Sequence, residues 1–206
     1  NLMEIYEDLK AELLTLDDPL IGALKLSVAG NIIDVAPGHK IDIHTTMSEA
    51  LSKPFAIDDL KELADRIRRA DSLLIVGDNC GEAVLDKLLL DIAGVPNSYF
   101  SVRTKPALND ITMEEALEIG TNEVATILDS GADAPGAQEK TMKSDFFDVY
   151  SRADVVISKG QGNLEGLSSA RREIFFLLMA KCEVIGGFLG VPKGSFVAYK
   201  KAESRG

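Results

Sequence analysis

The stretch VVISKGQGNLEGL, residues 155–167, joins a run of apolar residues to a glycine-rich turn and then to a helical pattern. A second stretch, LLIVGDNCGEAVLDKLLLD at residues 73–91, has the same order of strand, turn and helix. Apolar strands that alternate with helices are typical of a mostly parallel sheet buried on both faces. The two stretches therefore predict an α/β protein with a three-layer α/β/α, Rossmann-like sheet.

Residues 1–70 are predicted to form an N-terminal helical portion. Residues 1–30 place apolar side chains three and four apart, with a break before Pro19, which suits the first turn of a second helix. Residues 31–44 have no clear period. One further helix is predicted from about Ile57 to Ala70, because acidic residues occupy its start and arginines its end.

Residues 71–206 are predicted to form the Rossmann-like catalytic domain. Strand and helix patterns alternate through this part of the chain. The run FFLLMAKCEVIGGFLG at residues 175–190 is expected to bring an edge strand, and SFVAYK at residues 195–200 to close the sheet. In such sheets ligands bind beyond the carboxyl ends of the strands, so the residues that follow each strand are the candidates for function.

Charge and cysteine content narrow the classes of partner. The chain has 33 acidic and 22 basic residues, a net charge of −11, which argues against general binding to nucleic acid or to anionic lipid. No apolar run approaches the roughly 18 residues of a membrane span. Cys80 and Cys182 are too few for a disulfide framework. We therefore predict a cytoplasmic protein with neither nucleic acid nor membrane as a partner.

Oxygen-bearing side chains follow two successive predicted strands. Asp78 and Asn79 come after the first, and Asn109 and Asp110 come after the second. Carboxylate and amide oxygens without a cluster of cysteine or histidine suit Mg²⁺, Mn²⁺ or a similar divalent ion. Asp78, Asn79 and Asp110 are therefore the candidate metal ligands. The alternative is that Asp-Asn serves only as a turn or helix cap, where both residues are favoured.

The glycine-rich turn after the strand at residues 154–158 is a candidate phosphate site. Lys159 there can reach a phosphate that the backbone N–H groups of the turn also hold. The alternative is a surface lysine at a strand end. The candidate substrate-binding residues are Asn109, Ser130, Gly160, Gln161, Gly162 and Asn163.

The same residues are also compatible with two other functions. Gly160, Gly162 and Gly166 approach a dinucleotide fingerprint, with the third glycine one residue late, so a dehydrogenase or a methyltransferase that uses S-adenosylmethionine is an alternative. A non-catalytic metabolite-binding module, in which the acids are solvated caps, is another. The Walker pattern of P-loop nucleotide-binding proteins is absent.

Five motifs carry a resemblance to a known family: GDNCGE, LND, DSGADAPG, ADVVISKGQGNLEGL and FFLLMAKCEVI. Together they resemble the damage-control phosphatases, formerly domain of unknown function 89, and in particular the stand-alone archaeal and bacterial members. The similarity runs from about Leu73 to Lys200, and AGNIIDVA at residues 29–36 also looks like the family. Stand-alone members usually carry a further N-terminal helical portion with a cysteine pair. These 206 residues contain no such pair, so residues 1–70 are expected to be incomplete.

The resemblance implies a divalent-metal-dependent phosphatase for small phosphorylated metabolites such as sugar phosphates, with Mg²⁺, Mn²⁺, Co²⁺ or Ni²⁺ as cofactor. The metal ligands of the family fall on Asp78, Asn79 and Asp110, and its phosphate-contacting lysine falls on Lys159. The attacking group, water or Asp78 itself, stays open. Related eukaryotic members keep a carboxyl methyltransferase as an alternative. A homo-oligomer is also open, with the N-terminal helices as a dimer surface or as a cap over the site.

Overall fold

A single sheet organises the residues that the computed structural model describes, which are 2–30, 43–105, 109–131 and 136–204. The helices there are α1 (Tyr6–Leu13), α2 (Pro19–Ala29), α3 (Ile43–Ser52), α4 (Leu60–Ile67), α5 (Cys80–Ala93), α6 (Met113–Glu118), α7 (Ser144–Arg152), α8 (Gly160–Leu167) and α9 (Glu183–Leu189). The strands are β1 (Phe55–Asp58), β2 (Ser72–Val76), β3 (Asn97–Val102), β4 (Thr126–Asp129), β5 (Val155–Lys159), β6 (Ile174–Met179) and β7 (Phe196–Lys201).

The seven described strands lie in the order β1-β7-β6-β5-β2-β3-β4. Neighbouring strands are parallel except for β6 and β7, which are antiparallel. Helices cover both faces, because a first apolar cluster packs side chains of α1 to α6 on one face and a second packs those of α7 to α9 on the other. This three-layer arrangement confirms the predicted mostly parallel α/β fold.

Side-chain alternation along β2 shows how the two apolar clusters arise. Leu73 and Ile75 belong to the first cluster, whereas Leu74 and Val76 belong to the second. All four are buried, as expected for a parallel strand that has helices on both sides. Within the described ranges, no helix combines the length and the apolar character that crossing a membrane would require.

The break predicted before Pro19 is confirmed. Helix α1 ends at Leu13, and α2 begins at Pro19, with Asp18 as its N-cap. The Asp18 carboxylate accepts a hydrogen bond from the backbone N–H of Ile21 (3.2 Å) and also pairs with the guanidinium of Arg68 (2.7 Å). A capped start with proline in the first turn is the arrangement that the sequence pattern indicated.

The single helix predicted from Ile57 to Ala70 is wrong at its start. Residues Phe55–Asp58 form strand β1, and helix α4 begins only at Leu60. The Phe55 ring packs edge-on against the ring of Phe196 in β7, with centroids 5.5 Å apart. Burial of Phe55 against β7 therefore outweighs the helical pattern at this point, and the acidic residues 58–59 precede the helix instead of lying in its first turn.

Two further expectations need correction. The run that was expected to bring an edge strand contains β6, which lies between β5 and β7, with Ile174 to Leu178 all buried. The edges of the described sheet are β1 and β4. Helix α3 was not predicted, and the irregular residues 31–42 lie outside the described residues.

The helical portion over residues 1–70 contributes directly to the sheet. Its strand β1 pairs with β7, and its helices α1 to α4 share the first apolar cluster with α5 and with residues of β2, β3 and β5. The division at residue 70 stays a prediction, but the two parts are continuous in the core. The side chains that line the candidate site therefore depend on both.

Candidate functional site

The strand order reverses between β2 and β5. From β2 the chain continues to β3 and β4 on one side, and it later returns to β5 and β6 on the other side. Helix α5, which follows β2, packs on the first face, and α8, which follows β5, packs on the second. Ligands of open α/β sheets bind in the crevice at such a reversal. Asp78 after β2 and Gly160 after β5 therefore border the candidate site.

Backbone pairing brings the predicted metal ligands together. The N–H of Cys80 donates to the carbonyl of Asn109 (2.9 Å), and Asn79 lies opposite Asp110 in an isolated antiparallel bridge. Asp78 directly precedes this bridge, and the charge of Asp110 acts on its carboxyl group. The segments after β2 and β3 are thus fastened to each other, so Asp78, Asn79 and Asp110 share one end of the sheet.

Negative charge is concentrated at this junction. The pKa of the Asp78 carboxyl is raised to about 6, mainly by burial and in addition by the nearby carboxylates of Glu82 and Asp110. Arg103 and Lys159 act in the opposite direction without cancelling the effect. With Asp86, which also pairs with Lys159, four carboxylates share two fixed cations, an imbalance that a divalent ion would relieve.

The donor set fits a hard divalent ion. Two carboxylates and one amide oxygen are the ligands that Mg²⁺ and Mn²⁺ prefer. No three His, Cys, Asp or Glu side chains converge as a metal site within the part of the chain that the structure describes. The sequence predicts the Asn79 amide as the third protein ligand, and whether these residues hold a metal stays a prediction.

Gly160 makes room for the Asp78 carboxylate. Its φ is +75°, a conformation that favours glycine, and a Cβ at this position would lie 2.0 Å from Oδ2 of Asp78. The turn after β5 and the carboxylate after β2 are therefore in direct contact across the strand reversal. Any side chain at position 160 would push them apart.

Asn79 also serves as the N-cap of α5, which was the alternative interpretation of the Asp-Asn pair. Its Oδ1 accepts a hydrogen bond from the backbone N–H of Glu82 (3.1 Å), and its Nδ2 donates to Oε1 of Glu82 (2.5 Å). Asn79 is 7% exposed and Glu82 is 1% exposed. Capping and metal binding are compatible, because an amide oxygen has two lone pairs.

Lys159 points into the core in this structure. Its Nζ donates to the carbonyl of Ser27 (2.9 Å), to Glu82 Oε2 (2.9 Å) and to Asp86 Oδ1 (2.6 Å), and its side chain is fully buried. An ammonium has three N–H donors, so these bonds use all of them. A contact with substrate phosphate stays a prediction, and it would require one of these bonds to break.

Burial lowers the pKa of Lys159, but Asp86 and Glu82 raise it by more, so the pKa lies above its ordinary value and the lysine stays charged. Burial in turn raises the pKa of Asp86, which shares the lysine with Glu82. The surface-lysine alternative is wrong, since the Lys159 side chain has no exposure.

The Asn163 side chain makes four hydrogen bonds that hold the turn after β5. Its Nδ2 donates to the carbonyls of Gly77 (3.0 Å) and Lys159 (2.8 Å), and its Oδ1 accepts from Ala137 N–H (2.8 Å) and Arg103 Nη2 (2.9 Å). These four bonds use the full capacity of the amide. The predicted contact between Asn163 and substrate would therefore cost one of them, and the geometry favours a role in holding the ends of β2 and β5.

Arg103 is a residue that the sequence interpretation missed. It follows β3, is 3% exposed, and donates from Nε to Oδ2 of Asp110 (2.9 Å) while its Nη2 bonds Asn163. The guanidinium therefore fixes one predicted metal ligand and offsets its charge. The sequence does contain a signal for Arg103 as a site residue, because it follows a strand at the same edge of the sheet as Asp78 and Asp110.

Gln161 and Ser130 lie at the same end of the sheet but belong to neighbouring segments. The Gln161 Oε1 accepts from the N–H of Lys181, which follows β6 (3.3 Å). Ser130 follows β4, where its N–H bonds the carbonyl of Val102 and its carbonyl accepts from Lys143 N–H (3.2 Å). Their contact with substrate, like that of Asn109 and Gly162, stays a prediction.

Two of the glycines that suggested a dinucleotide fingerprint, Gly160 and Gly166, lie where a Cβ would meet neighbouring atoms. A Cβ at Gly166 would lie 2.0 Å from the carbonyl oxygen of Ala137, and a Cβ at Gly136 would lie 2.3 Å from that of Gly162. The backbone at residues 136–137 therefore lies directly on α8. The packing of the chain on α8 therefore accounts for glycine at positions 136 and 166.

We expect Gly166→Ala to lower the free energy of unfolding by about 2–3 kcal/mol, because the new methyl group overlaps the Ala137 backbone. Gly187→Ala in α9 is the matched control, since nothing lies within 4 Å of its Cβ position, and it should gain about 0.5–1 kcal/mol from helix propensity. Urea unfolding of both variants measures the difference. Equal stability of the two would contradict the packing described.

Comparison with known proteins agrees with this architecture. The damage-control phosphatase ARMT1-like domain matches residues 1–197. A damage-control phosphatase of Pyrococcus horikoshii is 35% identical over 183 residues, which cover 86% of this chain and 64% of that protein. A damage-control phosphatase of Archaeoglobus fulgidus is 30% identical over 192 residues, which cover 88% of this chain and 65% of that protein.

The crystal structure of a DUF89 family protein of Pyrococcus horikoshii superimposes with a TM-score of 0.84 and 32% identity. The similarity covers 95% of this chain and 70% of that one. The chain thus spans 64% and 65% of the lengths of the two sequence relatives above. With nearly its whole length matched by the domain and by this fold, the chain belongs to the damage-control phosphatase ARMT1-like family.

Proposed function

We propose that this protein is a divalent-metal-dependent phosphatase that hydrolyses small phosphorylated metabolites, sugar phosphates among them. The names of the relatives support a phosphatase. The observation that carries the proposal is the meeting of Asp78, Asn79 and Asp110 with the Gly160 turn at the strand reversal. Oxygen ligands on one side of a crevice and a helix N-terminus on the other suit a metal and a phosphate held face to face.

The metal would be held by the carboxylates of Asp78 and Asp110 and by the amide oxygen of Asn79. When bound, a divalent ion would polarise a phosphoryl oxygen and promote attack by water. Arg103 keeps Asp110 in place through its Nε, and it contributes a fixed positive charge beside the reacting phosphate. Positive charge is needed here because a net charge of −11 otherwise repels a phosphate ester.

The turn after β5 would hold the phosphate itself. Helix α8 begins at Gly160, so its first N–H groups lie at the crevice, and helix N-termini bind phosphate through such groups together with the helix dipole. Asn163 fixes this turn to the end of β2 through Gly77. Turn and ligands therefore keep a constant separation, which favours transition-state binding over binding of the free ester.

The proposal is tested by phosphate release from sugar phosphates and 4-nitrophenyl phosphate, with EDTA, Mg²⁺, Mn²⁺, Co²⁺ and Ni²⁺ in parallel. We expect release that depends on the metal and disappears with EDTA. Thermal stabilisation by S-adenosylmethionine or NAD, without release under any metal, would instead favour a cofactor enzyme. Metal binding without turnover of any ester would favour a non-catalytic module.

A further inference from the structure

We propose that Glu82 is a positioning residue that fixes the orientation of the Asn79 amide. Its carboxylate accepts the hydrogen bond that the Asn79 NH₂ group donates. The inference rests on the proposed function, since it concerns which atom of Asn79 is offered to the metal. Two contacts define the pair: Asn79 Nδ2 donates to Glu82 Oε1 (2.5 Å), and Glu82 N–H donates to Asn79 Oδ1 (3.1 Å).

An asparagine amide can take two orientations related by a half-turn, which exchange its oxygen and its nitrogen. Only one of them is compatible with Glu82, because an ionised carboxylate accepts hydrogen bonds and donates none. Nδ2 must therefore face Oε1 of Glu82, and Oδ1 must face the first turn of α5. Both polar atoms of Asn79 are fixed by one residue three positions further along the chain.

Glu82 is itself held in place by a second contact. Its other oxygen, Oε2, accepts a hydrogen bond from Lys159 Nζ (2.9 Å), and both side chains are at most 1% exposed. Lys159 is anchored in turn by the carbonyl of Ser27 on α2. The buried ammonium therefore keeps Glu82 an acceptor, and through it keeps the Asn79 amide in one orientation.

The fixed orientation places Oδ1 beside the first turn of α5. A Cβ at Gly81 would lie 3.2 Å from Asn79 Oδ1, and Gly81 is exposed. Glycine at position 81 therefore leaves room beside this oxygen. In the opposite orientation an NH₂ group, which cannot bind a cation, would take its place.

The effect of aspartate at position 79 is expected to differ from what general rules for helix caps and metal ligands predict. Aspartate is as good an N-cap as asparagine and a stronger ligand for Mg²⁺ or Mn²⁺, so general rules favour Asn79→Asp. Here the new oxygen would lie where Nδ2 now contacts Glu82 Oε1 at 2.5 Å, so two buried carboxylates would meet without a proton between them. The substitution is therefore expected to be harmful.

Glu82→Gln should reverse the harm. Glutamine can donate from Nε2 to the aspartate and still accept from Lys159 through Oε1, so the donor and the acceptor are exchanged between positions 79 and 82. The double variant also keeps the net charge of the pair. Glu82→Gln alone should be harmful, because its NH₂ group would face either the NH₂ of Asn79 or the ammonium of Lys159.

The experiment compares wild type, the two single variants and the double variant Asn79→Asp/Glu82→Gln. The melting temperature without metal is read from circular dichroism, and the Mn²⁺ dissociation constant from titration calorimetry. We expect each single variant to melt below wild type and to bind Mn²⁺ at least about 10-fold more weakly, and the double variant to return to within about 3-fold. Asn122→Asp, at an exposed position, controls for the added charge.

Other results would contradict either the pairing of Asn79 with Glu82 or the proposed function. Asn79→Asp that binds Mn²⁺ as well as wild type, or single effects that simply add in the double variant, would overturn the pairing and leave the proposed metal site in place. A wild type that neither binds divalent ions nor releases phosphate would overturn the proposed function, and the role of Glu82 toward a metal would fall with it.

Discussion

Asp78→Asn is expected to reduce phosphate release by about 10³-fold or more while leaving the protein folded, because it removes a charged ligand from the site where the metal would act. Its effect on stability should be the opposite of its effect on activity. A pKa raised from 3.8 to about 6 means that the ionised carboxyl costs the folded state roughly 3 kcal/mol. A neutral amide at this position avoids that cost, so without metal the variant should be at least as stable as wild type.

The measurement pairs initial rates of phosphate release with urea unfolding in EDTA. Asp17→Asn is the matched control, since Asp17 is exposed, and it should change neither activity nor stability by more than about 0.5 kcal/mol. A folded Asp78→Asn protein with wild-type activity would remove Asp78 from the mechanism. An inactive variant that is also strongly destabilised would show that the carboxylate supports the fold rather than the chemistry.

Lys159→Met is expected to lower the free energy of unfolding by about 3–5 kcal/mol, because it leaves Glu82 and Asp86 buried without their counter-charge. For a domain of about 200 residues, a loss of this size corresponds to a fall in melting temperature of roughly 6–20 °C. The cost is large because both carboxylates are 1% exposed and cannot recover their hydration.

Thermal and urea unfolding of Lys159→Met measure this loss, with Lys61→Met as the control on an exposed lysine of α4. The same pair of variants decides between the two roles of Lys159. Full stability with lost phosphate release would favour the phosphate contact that the family resemblance implies. A large loss of stability, with weakened metal binding in whatever protein remains folded, would favour the role argued from the buried contacts.

That the candidate residues share one edge of the sheet could be predicted from the sequence for a simple reason. Residues that follow parallel strands meet at one edge of the sheet, so Asp78, Asn79 and Asp110 had to share that edge once the strands were recognised. What the strands alone do not give is the pairing of Asn79 with Asp110, or the close approach of Asp78 to Gly160. Those depend on the order of strands, which the pattern of apolar residues does not encode.

The direction of Lys159 could have been predicted with one more step. The strand extends through Lys159, and side chains two residues apart share a face. Val155 and Ile157 belong to the first apolar cluster, so Lys159 must point toward the same face, where Glu82 and Asp86 of α5 lie. When the lysine is placed in the turn instead, it becomes a crevice residue, and the buried ion pairs are missed.

Strand β1 was missed because its local pattern favours a helix. Acidic residues at 58–59, followed by apolar residues at 60, 63, 64 and 67, are what a helix start requires. The four residues before the helix become a strand only because β7 offers a partner about 140 residues further along the chain. No local rule contains that partner.

The pairing of β1 with β7 has a consequence for the order of synthesis. At about 5–20 residues per second, a ribosome would make β1 roughly 7–28 s before β7, its single neighbour in the described sheet. During that interval Phe55 and Ile57 would be a short apolar segment with nothing to pair with. The charges at Lys53, Asp58 and Asp59 flank it on both sides, and flanking charges discourage association between nascent chains. Within the described sheet, the edge strand β1 can therefore take its native place only after β7 has been made.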